Sequence, residues 1–165
     1  MIIGEEEIPN ERALLTQEDG PMMASSASVK YIVIHCSATR STRDYTAEQL
    51  LRDHKMRGFR TVGYHFYIRR DGSVTQHRKL LEVGAHCRPW NRCSIGICYE
   101  GGLDADGRPA DTRTPEQTEQ FILLLMRMVK IFPGVRIRGH RDMPGSIPKA
   151  CPCFDAEGVF GYLEK

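Results

Sequence analysis

The chain has 165 residues, 41% hydrophobic and 27% charged, a balance that fits one globular domain with a substantial core. Its longest apolar run, Phe121 to Met126, is too short to cross a bilayer, so no membrane insertion is expected. The net charge of +2 hides an asymmetry, because residues 1–28 hold six acidic side chains against Arg12 and leave +7 on the rest; that basic body favours anionic partners such as cell-wall polymers, while its scattered charges carry no nucleic-acid signature.

The first residues, Met1-Ile2-Ile3-Gly4-Glu5-Glu6-Glu7, lack a basic start followed by an apolar core, so no signal peptide is expected and synthesis in the cytoplasm is. Residues 1–28 read as an acidic, flexible or loosely docked extension, with a short helix possible over Glu11–Leu15, and residues 29–165 as the single domain. Val29–His35 is β-branched and apolar on both faces, the pattern of a central strand, and places His35 at its C-terminal end. Thr46-Ala47-Glu48-Gln49 is a capping box that starts a helix ended by Gly58. Val62–Ile68 predicts a second strand, with Val62, Tyr64, Phe66 and Ile68 on one face, followed by the hairpin turn Asp71-Gly72 and a return through Ser73–His77. Val83–Asn91 reads as a loop and Ser94–Glu100 as another strand. Thr114-Pro115-Glu116-Gln117 opens a second helix running to about Phe132, stopped by Pro133-Gly134. Val135–Arg138 is a short strand delivering Gly139-His140. Strands and helices alternate, which gives an α/β class: a central mixed sheet flanked by helices.

Six cysteines without a secretion signal are expected to be reduced. His35 and His140 both sit where a predicted strand ends, and Cys151 follows on a loop broken by Pro144, Gly145 and Pro148. If the two strands are neighbours, two imidazoles and a thiolate meet at one rim; that donor set suits Zn²⁺ and leaves a fourth position open, as catalytic zinc sites do. Cys153 is a second thiol nearby. A metal-free alternative is a Cys151 nucleophile activated by His140 or His35. Cys36 is a poor partner for His35, because adjacent strand residues point to opposite faces. His54, His65 and His77 read as structural. His86 lies in a loop that could cover the same rim, as a substrate contact.

Taken together, Tyr31–Thr39, Gly63-Tyr64-His65-Phe66, Arg70-Asp71-Gly72, Val83-Gly84-Ala85-His86, Asn91, Ser94-Ile95-Gly96-Ile97, Gly139-His140, Lys149-Ala150-Cys151-Pro152 and Phe154-Asp155 resemble, in order, the type 2 N-acetylmuramoyl-L-alanine amidases. This zinc family includes phage amidase endolysins and the peptidoglycan recognition proteins; the resemblance spans about residues 29–160. It implies His35, His140 and Cys151 as ligands of one Zn²⁺, with Tyr64 and Lys149 as catalytic helpers. The implied reaction is hydrolysis of the amide between N-acetylmuramic acid and L-alanine in peptidoglycan. The implied partner is peptidoglycan or a muropeptide, met by a monomer on the cell wall after release, or in the cytoplasm. His86, Trp90 and Asn91 are expected near the substrate, with plain packing as the other reading of Trp90. A non-catalytic peptidoglycan-binding module is the alternative function. The His140–Cys151 loop is longer than the family pattern through Met143–Ile147, so how it folds decides whether the ligands meet.

Overall fold

The structure, a computed structural model, describes residues 20–146 and 149–165. The helix expected over Glu11–Leu15 lies outside these residues. Five strands form one sheet in the order β4-β3-β5-β1-β7, where β1 is Tyr31–Cys36, β3 Phe66–Ile68, β4 Val74–Gln76, β5 Ser94–Tyr99 and β7 Arg136–Gly139. Strand β1 is parallel to both β5 and β7, β3 is parallel to β5, and β4 returns antiparallel to β3, so the sheet is mixed. A separate parallel pair, β2 (Thr39–Arg40) and β6 (Gly102–Leu103), lies beyond the ends of β1 and β5.

Helices α1 (Ala47–Met56) and α2 (Pro115–Ile131) start at the two capping boxes. Thr46 Oγ1 accepts from the Gln49 N–H and Gln49 Oε1 from the Thr46 N–H; Thr114 and Gln117 repeat the exchange. Each cap contributes on the order of 1 kcal/mol by satisfying helix-end donors. The Gln117 amide also donates to the Ile68 and Glu100 carbonyls, so α2 is tied to the sheet from inside the core.

One face of the sheet is closed. Ile32, Ile34, Phe66, Ile68, Ile95, Ile97, Tyr99 and Ile137 pack against Phe121, Leu124, Leu125 and Met128 of α2 and Phe160 of α3 (Ala156–Phe160). The other face is covered in two parts. Ala47 and Leu50 of α1 cover Tyr67 and Cys98, and a loop cluster of Cys87 and Met143 covers Val33. His35 shares the face of Val33 and stands at the C-terminal end of β1, between these two covers.

Two expectations shift. Strand β3 begins only at Phe66, because Gly63–His65 bend. The Gly63 N–H donates to His54 Nδ1 at 2.9 Å and its carbonyl accepts from the Ala85 N–H at 3.0 Å, which holds the chain out of the sheet. Strand alternation therefore breaks: Val62 and Tyr64 pack with Tyr67 on the α1 side, not with Phe66 and Ile68. Close to this bend, the part of the 1–28 extension that lies among the described residues is fastened down. Met23 donates to the Leu81 carbonyl, Pro21 accepts from Val83, and the Met23 and Val29 side chains are buried.

Candidate metal centre

Ile34 stands opposite Gly139 in the parallel β1–β7 pair, so the next residue on each chain is a histidine. The His35 and His140 ring centroids are 4.6 Å apart. His140 opens a short 3-10 turn, His140–Asp142. The longer loop that follows folds back on itself: Ser146 Oγ donates to the Met143 carbonyl at 2.7 Å with the His140 carbonyl 3.1 Å away, Met143 is buried against Val33, and Trp90 Nε1 donates to the Pro144 carbonyl. The Arg141 N–H then donates to the Cys151 carbonyl at 2.9 Å, bringing the two ends of the loop together. Ligand atoms of His35, His140 and Cys151 lie within 4.8 Å of one another, the one such grouping of three among the described residues.

The donor set fits zinc. Tetrahedral nitrogen and sulfur ligands of one Zn²⁺ stand about 3.6 Å apart, from bond lengths near 2.0 and 2.3 Å. His35 Nδ1 and Cys151 Sγ are 4.0 Å apart, a few tenths from that value. The same gap is long for a direct thiol–imidazole pair, which weakens the cysteine-nucleophile reading. Cys36 contributes from behind: its N–H donates to Cys151 Sγ at 3.3 Å. Hydrogen bonding from the Cys36 thiol, then from its N–H, and the charge of Lys149 lower the Cys151 pKa against burial. The Cys36 thiol itself is pushed up to about 12, chiefly by its bond with Cys151. Cys151 is thus the thiol favoured as thiolate. Cys153 instead contacts the Gly102 carbonyl at 3.2 Å and Cys36 Sγ at 3.9 Å, and all six cysteines are free thiols.

Tyr64 lies against His35, ring centroids 4.9 Å apart, at the bend rather than in a strand. Burial, then the nearby thiols, raise its pKa well above the ordinary value, so it stays an O–H donor. Lys149 is exposed beside Cys151. A cavity of about 450 Å³ opens next to Tyr64, lined by Ser37, Asp53, His54 and Arg57 among others; of these, Asp53 and Arg57 lie in no motif that would flag them.

The three residues expected near the substrate each make contacts within the protein. His86 Nδ1 bonds His35 Nε2 at 2.9 Å and its Nε2 faces Ser94 Oγ at 3.2 Å, so both ring nitrogens point into the protein. Asn91 Oδ1 accepts the N–H groups of His86 and Cys87. Trp90 packs edge-on against Tyr31. Of the remaining histidines, His54 is buried and serves the Gly63 bend. His65 accepts from the Gly96 N–H and bonds the Glu82 carbonyl, and His77 Nε2 bonds Thr75 Oγ1. Burial of His35, then the adjacent His86 and His140, lowers its pKa well below the ordinary value, which keeps it neutral and able to bind a metal.

Known proteins share this arrangement of chain. A family model described as N-acetylmuramoyl-L-alanine amidase matches residues 25–154. The chain is 41% identical over 124 residues to the endolysin of Klebsiella phage KP32, covering 75% of this chain and 80% of that protein. It is 38% identical over 128 residues to the endolysin of Escherichia phage T7, with 78% and 83% covered. Among solved structures, the endolysin N-acetylmuramoyl-L-alanine amidase LysCS from Clostridium intestinale superposes with a TM-score of 0.72 at 25% identity, over 92% of this chain and 95% of that one. Bumblebee PGRP-SA shares the fold, with a TM-score of 0.72 at 20% identity over 93% of each chain. With most of its length inside the family match and two phage endolysins near 40% identity, the chain belongs to the N-acetylmuramoyl-L-alanine amidase family.

Proposed function

We propose that this amidase cleaves the bond between the lactyl group of N-acetylmuramic acid and L-alanine in peptidoglycan, with one Zn²⁺ held by His35, His140 and Cys151. The observation that carries the reading is the convergence of two imidazoles and a thiol from three separate segments, with their ligand atoms within 4.8 Å of one another. Zinc in such a site supplies Lewis acidity toward the scissile carbonyl and a nucleophile at neutral pH. The chain's own groups do the rest. Cys151, hydrogen-bonded by Cys36, holds negative charge at the site. Tyr64, kept protonated, donates a hydrogen bond to the oxygen that gains charge as the carbonyl is attacked. Lys149 brings a positive charge to the same oxygen from the exposed side. The cavity beside Tyr64 has the size range of a ligand site and accommodates stem-peptide atoms. The catalytic unit is residues 29–165, with Met23 of the stretch before it seated in its core. The enzyme works as a monomer on the cell wall after release from the cytoplasm, or on soluble muropeptides, without a nucleic-acid partner.

The test is to digest purified peptidoglycan with wild type and Cys151→Ser while measuring bound zinc. Wild type is expected to carry one zinc per chain and to release new L-alanine amino termini without new reducing ends. Cys151→Ser is expected to lose both metal and cleavage. Cleavage that survives complete chelation would sink the zinc mechanism, and binding without release would indicate a recognition module.

A further inference from the structure

Behind His35 runs a hydrogen-bonded line: His35 Nε2 to His86 Nδ1 at 2.9 Å, His86 Nε2 to Ser94 Oγ at 3.2 Å, and Ser94 Oγ to the Trp90 carbonyl at 2.8 Å. The line has a direction, and its far end sets it. A carbonyl oxygen only accepts, so the Ser94 hydroxyl must donate to Trp90. Ser94 has one hydrogen, so toward His86 it must accept. His86 then carries its proton on Nε2 and accepts at Nδ1, which requires the proton of neutral His35 to be on Nε2. His35 Nδ1 is left as a bare lone pair, and that is the nitrogen 4.0 Å from Cys151 Sγ. Reversing a link would leave Ser94 Oγ facing either the Trp90 carbonyl or a bare His86 Nε2 with no hydrogen between them, an unmade bond between buried groups. Ser94 is fully buried, so water does not relieve it.

The ring of His86 is also held in place. A Cβ added to Gly96 would come 2.7 Å from its Cγ, and one added to Gly84 would come 2.6 Å from its Cδ2, so the imidazole lies in a slot that two glycines leave open. Asn91 fixes the backbone N–H of His86 at 2.9 Å.

We infer that His86 and Ser94, anchored on the Trp90 carbonyl, are positioning residues that hold His35 in the Nε2–H tautomer and so present Nδ1 to the metal. Partners of this kind orient a metal-binding imidazole and raise its basicity. The inference rests on the zinc reading for what Nδ1 faces, but the tautomer exists without metal. The test has two arms. In the chelator-treated protein at neutral pH, long-range ¹H–¹⁵N imidazole spectra are expected to show His35 and His86 protonated at Nε2. In the second arm, zinc affinity is measured by chelator competition. His86→Leu is expected to weaken binding about 10–100-fold, and Ser94→Ala to weaken it in the same direction. His86→Asn, which restores an acceptor near Nδ1, is expected to recover part of the loss, and a purely structural defect would not respond that way. Wild type with His35 protonated at Nδ1 overturns the inference, as does zinc binding in folded His86→Leu and Ser94→Ala as tight as wild type. If wild type shows the Nε2–H tautomer but takes up no zinc, the metal reading fails and the relay stands.

Discussion

Glu82→Gln tests how the site is propped from behind. Arg78 and Glu82 are 5% and 2% exposed, and Arg78 Nη1 meets Glu82 Oε2 at 3.1 Å. Arg60 bonds the same oxygen. The Arg78 guanidinium also donates at 2.8 Å to the carbonyls of Val62 and Val83, the residues just before Gly63-Tyr64 and Gly84-Ala85-His86. Burial, then the charge of Arg60, pushes its pKa down to about 10, so it remains charged at neutral pH. Removing one charge of a buried pair costs about 3–5 kcal/mol. Two carbonyls still hold Arg78 and glutamine keeps an acceptor, so the lower end, about 3 kcal/mol, is expected. With a urea slope near 2 kcal/mol/M, that moves the unfolding midpoint down by about 1.5 M. Native-state hydrogen exchange should quicken at His65 and Ala85, whose N–H groups bond the Gly96 and Gly63 carbonyls. A loss under about 1 kcal/mol, with exchange unchanged, would refute the view that this ion pair holds both segments.

Three further outcomes follow from the same geometry. Below pH 6.5 the unfolded chain protonates its histidines while buried His65, lowered to about 3 first by burial and then by Arg78, does not. Its stabilising share is full above pH 6.5 and is lost as the pH falls toward 3; by pH 5 the loss amounts to about 2 kcal/mol, with His54, lowered to about 4, acting in the same direction. A urea midpoint of the chelator-treated protein that stays flat between pH 7.5 and 5 contradicts this. Gly96→Ala should drive the His86 ring from its slot and weaken zinc binding at least tenfold; unchanged chelator competition counts against the slot. Lys149→Ala should keep its zinc but lose about 10²–10³ in turnover, the scale of one oxyanion donor, and parallel loss of metal and rate would assign it a structural part instead.

Much of this was legible in the chain. Both capping boxes mark helix starts because the reciprocal side-chain bonds are local, and β1 reads as central because it is apolar on both faces. His35, His140 and Cys151 could be grouped because strand ends in an α/β sheet share a rim. What was illegible depends on contacts between distant segments. The bend at Tyr64 looks like strand alternation, and only the His54 ring and the Ala85 N–H turn it. Arg78 and Glu82 look like surface charges until the fold buries them together. His86 has the residue type of a substrate contact, and its true direction depends on two glycines and a serine on another strand.

The pairing of β1 with β7 also bears on when the enzyme becomes competent. His35 lies in the first strand of the sheet to be synthesised, while His140 and Cys151 lie on and beyond the last. Strand β7 sits at the sheet edge, and the Ile137 N–H there is covered by the Glu164 carboxylate. A nascent chain therefore presents His35 about a hundred residues before His140 and Cys151 emerge, and the three side chains meet only once β7 has paired with β1, so the site is a product of the finished sheet and not of any local segment.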